Sequence, residues 1–195
     1  MKKRLLSFVL IFALVLSSFV IVPTKDTQAK KHSPKYYQNK LKKFVKKHGK
    51  KDGSEYTYKY EYDELTSKVT YDTMLNEIDF CCSMYRPEED NEDDDTFIYV
   101  SMYFDRGNNT KARIYASYDM TVDGKDYEIE GWSKYQRIKK FSFKKLKFPK
   151  IKSYIGQKKG KKLLKKLIKP CFPVWKEMLK IMGLSFKKIG LKKLK

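Results

Sequence analysis

The chain has 195 residues, and 44 Lys and Arg against 23 Asp and Glu leave it a formal net charge of +21. Hydrophobic residues make up 41% and aromatic ones 15%, which suits one domain of ordinary size with a real core, so wholesale disorder is not expected. Nucleic acid is not the expected partner for this charge either, because the first residues direct the chain out of the cytoplasm and no nucleic-acid motif appears.

Lys2, Lys3 and Arg4 precede an almost unbroken apolar run from Leu5 to Val22. That is the layout of a secretory signal, and Thr27-Gln28-Ala29 supplies small residues ahead of a cut after Ala29. The expected organisation is therefore a signal peptide over 1–29, a basic N-terminal helix over 30–51 and a single α+β domain over 52–195. The expected location is secreted. The alternative is a chain tethered by uncleaved residues 5–22, a run just long enough to span a bilayer. There is no cysteine near the end of the apolar run to take a lipid, and the basic tail carries no wall-sorting motif.

Charge is sorted along the chain. Lys30 to Lys51 holds ten Lys and no acid, Asp52 to Gln136 holds eight Lys and Arg against twenty-one Asp and Glu, and Arg137 to Lys195 holds twenty-two Lys and Arg with the single acid Glu177. Basic ends could fold against the acidic middle, with the surplus serving solubility. A surplus this large is also suited to meeting a polyanion, which for an exported chain means anionic lipid headgroups or wall polymers.

In chain order, Ser33-Pro34 followed by KYYQNKLKKFVKKHG predicts a short helix in which Tyr37, Leu41, Phe44 and Val45 recur every three or four residues up to Gly49. The period then becomes two. Tyr56, Tyr58, Tyr60 and Tyr62 alternate with polar residues, and a second strand runs from about Ser67 to Tyr71. Ile78, Phe80, Cys82 and Met84 share one face of the next strand, and Ile98, Val100, Met102 and Phe104 share one face of the strand after the acidic run. Lys111 to Val122 carries Ile114, Ala116, Tyr118 and Met120 in phase, and Asp123-Gly124 is a strong hairpin signal leading into Lys125 to Tyr135. Five or six consecutive strands with short turns predict an antiparallel meander over 55–148 with one face buried, and such a sheet needs a cover.

The cover is expected from a helical C-terminus over 150–195. Leu163, Leu164, Leu167 and Ile168 form an apolar stripe opposite Lys161, Lys162, Lys165, Lys166 and Lys169, the pattern of an amphipathic helix. Pro170 and Pro173 predict a break, with a second helix from about Pro173 carrying Val174, Met178, Leu179 and Met182 to Gly183. Burying about six such side chains contributes on the order of 9–18 kcal/mol before entropy is subtracted.

The ending CFPVWKEMLKIMGLSFKKIGLKKLK, through Trp175, Gly183-Leu184-Ser185-Phe186-Lys187 and Ile189-Gly190-Leu191, resembles that of a group of small exported Gram-positive proteins. In that group a β-meander precedes a Trp-containing helix. The resemblance covers about the last twenty-five residues in detail, implies the fold and export, and transfers no site because the group has no assigned activity.

Candidate chemistry is sparse. His32 and His48 both lie in the basic N-terminal segment, away from any nucleophile in sequence, and no phosphate-cradling glycine loop is present. The acidic run Glu88 to Asp95 fails the helix-loop-helix calcium spacing, since Asp95 and Ser101 stand where glycine and glutamate are needed, and it reads as a solvated loop. No enzyme, cofactor or metal is expected. Cys82 shares the apolar phase that the C-terminal helices should cover, so a Cys82–Cys171 disulfide is a candidate, set against three unpaired thiols, with Cys81 pointing to the other face.

The expectation is an exported non-enzymatic protein attracted to anionic lipid or wall polymer. Lys161, Lys162, Lys165, Lys166 and Lys169 supply the charge, with Trp175 and Phe172 inserting at a lipid interface. One alternative is a structural or partner-binding domain whose charge only confers solubility, and another is a membrane-active cationic helix. The residues point to no particular protein partner or oligomeric state.

Overall fold

Ser33 sits in extended backbone, and its Oγ accepts the Tyr36 N–H at 3.4 Å, with Pro34 next in line where a missing donor costs nothing. These residues start helix α1 (Pro34–His48), which buries Gln38, Leu41 and Val45. A computed structural model describes residues 32–62, 64–87 and 95–194, and its described fold belongs to one compact unit, Ser33–Lys195. The expected signal peptide and all of the acidic run except Asp95 lie outside the described residues.

Among the described residues nine strands form one antiparallel sheet: β1 (Lys50–Asp52), β2 (Glu55–Tyr62), β3 (Leu65–Asp72), β4 (Glu77–Pro87), β5 (Asp95–Phe104), β6 (Lys111–Val122), β7 (Lys125–Trp132), β8 (Gln136–Arg137) and β9 (Lys152–Ser153). Strands β1 to β7 follow one another as a meander, β9 adds to β7, and β8 pairs with β6. The six longer strands of the expected meander are present, β6 and β7 joined at Asp123-Gly124. The extra strands β1, β8 and β9 have two or three residues each, too few to show a period. The meander also ends earlier than expected. From Gln136 to Lys150 the chain forms β8 and two short 3-10 turns.

Period-two alternation places Val69, Phe80, Met102 and Ile114 side by side across β3 to β6, all fully buried. The next row, Cys82, Val100, Ala116 and Gly131, has smaller side chains. Helix α2 (Gln157–Ile181) lies over this face and buries Leu164, Ile168, Cys171, Val174, Trp175, Met178 and Leu179. Its first turn approaches β9 closely. A Cβ on Gly160 would come within 2.5 Å of Ser153 Oγ and 2.6 Å of Ile151 Cδ1, so only glycine fits there.

The expected break at Pro170 and Pro173 is corrected: both prolines lie inside one continuous helix. Each removes the N–H that would bond four residues back, at Lys166 and Lys169, and those positions, like the prolines, face solvent. Water can serve the freed carbonyls while the opposite side of the helix stays buried in the core, so packing outweighs the local cost. The helix ends by a Gly183 cap at φ 66°, with Leu184 N–H donating to Leu179 O at 2.8 Å and Gly183 N–H to Lys180 O at 2.9 Å. Beyond it Leu184, Phe186, Ile189 and Leu191 are buried, and Gln38 of α1 donates to Ile189 O at 3.1 Å and Asn109 O at 3.2 Å. Among the described residues no helix is long and apolar enough to cross a membrane.

Candidate functional site

The outer side of α2 presents Lys162, Lys165, Lys166 and Lys169 to solvent. None of them forms an ion pair with a described carboxylate; among the described residues the helix's ion pair joins Lys180 to Glu177 at 3.3 Å. Lys161 is half-buried and differs from the others, its Nζ donating to Pro149 O at 2.9 Å. Trp175 does not reach this surface. It is fully buried, its ring centroid 6.4 Å from that of Phe80 and its indole N–H donating to Cys81 O at 3.1 Å. An indole locked in this way cannot insert at a lipid interface, which corrects its expected role. Phe172 is also turned inward, stacked on Phe186 at 4.9 Å.

The three cysteines are free, buried thiols. Cys82 on β4 and Cys171 on α2 meet across the helix–sheet interface, and a hydrogen bond between them draws the Cys82 thiol below its ordinary value while it and burial hold that of Cys171 up. Cys81 points to the opposite face, where burial pushes its thiol up to about 11.

Among the described residues no helix lies on that opposite face of the sheet. The face lines a depression of about 1090 Å³ whose rows follow from strand register. One row runs Thr57, Thr70, Asp79, Tyr103, Arg113, and the next runs Lys59, Lys68, Cys81, Ser101, Tyr115, Trp132. The Arg113 guanidinium lies 3.8 Å from the Trp132 ring centroid and 4.8 Å from that of Tyr135, held between two aromatic faces. Tyr103 and Tyr115 pack on Trp132 at 5.1 and 4.9 Å. Arg113 Nε is buried without a hydrogen-bond partner, and neither Arg113, Lys59 nor Lys68 forms an ion pair with a described carboxylate.

Asp79 accepts a hydrogen bond from Ser101 Oγ at 3.3 Å. Burial is the main reason its carboxyl is pushed up to about 7; Glu55 and Glu77 add to the push, and the Ser101 bond opposes it. At one end of the depression Glu55, Asp72 and Glu77 align across β2, β3 and β4 as an acidic rim. Tyr115 bonds to Glu130, and burial together with that bond raises its hydroxyl above the ordinary phenol range.

Sequence reasoning singled out none of Asp79, Tyr103, Arg113 and Trp132. The outward phase of β4 to β7 did carry a signal, since Tyr99, Tyr103, Tyr115 and Trp132 stand in it among charged residues such as Glu77, Asp119, Glu128 and Glu130, and aromatics are not what a merely solvated face needs. Comparison with protein families, curated proteins and solved structures finds no match.

Proposed function

We propose that the protein is an exported, non-enzymatic protein that associates electrostatically with anionic polymers or lipids of the cell envelope through the outer side of α2. The observation that carries this reading is the row Lys162, Lys165, Lys166 and Lys169, exposed and without acid partners among the described residues. Charges so placed keep their attraction for an external polyanion, and salt should screen it within a Debye length of about 10 Å at 0.1 M.

The test is co-sedimentation of the mature protein with phosphatidylglycerol vesicles and, separately, with a glycerol-phosphate wall polymer, across a salt series. Expected is binding that fades steeply as salt rises and is strongly reduced in a variant carrying Lys162→Gln, Lys165→Gln, Lys166→Gln and Lys169→Gln. Binding that ignores both salt and these substitutions would transfer the reading to a partner-binding domain whose charge serves solubility. The membrane-active alternative requires the apolar stripe at Leu164 and Ile168 to leave the sheet, and leakage of anionic vesicles by the intact protein is its test.

A further inference from the structure

We propose that the depression on the open face of the sheet binds a carboxylate-bearing oligosaccharide, with the Trp132 platform taking a sugar ring, Arg113 taking one acid group beside it, and Lys59 with Lys68 taking another further along the chain of sugars. Three features of the face select this class of ligand. First, it presents flat aromatic surface at its mouth. Trp132 and Tyr135 are 37% and 44% exposed, so each keeps ring surface beyond the face that holds Arg113, and that surface can receive the C–H side of a pyranose ring. Second, the remaining lining is rich in hydroxyls, from Thr57, Thr70, Tyr99 and Tyr103, and nearly free of aliphatic side chains. A hydroxyl-bearing ligand can match these groups, whereas an apolar peptide side chain finds no pocket.

Third, the face carries cations at two places, Lys59 beside Lys68 on β2 and β3 and Arg113 on β6, and none of them forms an ion pair with a described carboxylate. Arg113 is stacked, so its fork is held in one plane, the geometry that suits a bidentate carboxylate, and its Nε is an unmatched donor. The backbone groups of β3 to β6 are taken up by neighbouring strands on both sides, so an extended peptide laid on this face cannot gain affinity by strand addition. The acidic rim of Glu55, Asp72 and Glu77 bounds the depression at one end, so an anionic ligand lies across the strands along the rows beyond it, from Lys59 and Lys68 to Arg113.

Trp132 reports on binding directly, because the other tryptophan, Trp175, is buried on the far side of the sheet. The experiment is a fluorescence titration of the mature protein with tetragalacturonate, with maltotetraose as neutral control and hexaglutamate as acidic peptide control. Expected is a saturable shift with tetragalacturonate that is at least about tenfold weaker in Lys59→Gln and in Arg113→Gln, as loss of a charge-assisted contact implies, and unchanged in the quadruple α2 lysine variant. Lys59 is exposed, so its substitution tests the site even if Arg113→Gln unsettles the sheet. No saturable shift overturns the proposal. So does equal binding of maltotetraose, which removes the carboxylate, or of hexaglutamate, which removes the sugar. A loss confined to the α2 variant overturns it too, by placing the binding on the helix.

Discussion

The two faces of one sheet are made by alternate residues of the same strands, and they differ in what water can do. On the covered face Phe80, Met102 and Ile114 are fully buried beneath α2. On the open face their neighbours Asp79, Tyr103 and Arg113 line a depression that water can fill. A side chain lost from the first leaves a cavity; one lost from the second leaves solvent. Stability and ligand contact are thereby divided between odd and even positions of a strand, so that each can be changed without the other. Trp175→Ala is the largest break of this division, since it removes the ring over Phe80 and takes one donor from the Cys81 carbonyl, leaving it the Ser67 hydroxyl at 2.9 Å. It should cost about 3–5 kcal/mol in urea unfolding, against less than about 0.5 kcal/mol for Lys68→Gln on the open face. A mild effect of Trp175→Ala would mean that α2 does not hold the core together.

Asp79 is where the division is least clean, because an acid of the open face sits half within the sheet. Its carboxyl is raised to about 7, so the folded protein keeps a proton that the unfolded chain releases from its ordinary value of 3.8 upward. The unfolded state is then the one that loses protons first, and stability falls as pH rises through that window and is level above it. Asp79→Asn should therefore stabilise the protein by about 2–4 kcal/mol at a pH of about 8, the gain shrinking towards zero as pH approaches about 4. A difference between the two proteins that stays constant over that range would mean the carboxyl is solvated.

Much of this architecture was legible in the sequence, for stated physical reasons. Alternation of Phe80 with Cys81 or Ile114 with Tyr115 reveals both the strand and the face that needs a cover, and Asp123-Gly124 marks a hairpin by turn chemistry alone. The rows of the open face were not legible, because Asp79, Tyr103 and Arg113 become neighbours only once the register of three strands is set. Trp175 could have been placed, since Cys171, Trp175, Met178 and Met182 recur at helical spacing, but its aromatic character drew it towards the interface reading. The continuous α2 was missed because the proline rule counts the local cost and says nothing of the buried side that opposes it. Pro170→Ala measures that opposition. Restoring a donor at an exposed position should raise stability by about 1–3 kcal/mol in thermal or urea unfolding. No gain would mean that the proline lowers the entropy of the unfolded chain by as much as it costs the helix.

The smallest expected effect bears most directly on what the outer side of α2 is for. Lys162 and Lys166, and likewise Lys165 and Lys169, stand four apart on one helix, where like charges repel by about 0.2–0.5 kcal/mol per pair. Replacing all four by Gln should therefore raise stability slightly, by about 0.5–1 kcal/mol at low ionic strength, and the gain should disappear in high salt as the repulsion is screened. Measured beside the binding assay, this separates two origins of the row. If the variant is more stable and no longer sediments with anionic vesicles or wall polymer, the lysines oppose the fold that carries them and act on something outside it. If the variant is less stable, the lysine stems are supporting the helix through packing along its surface, and the row belongs to the fold itself.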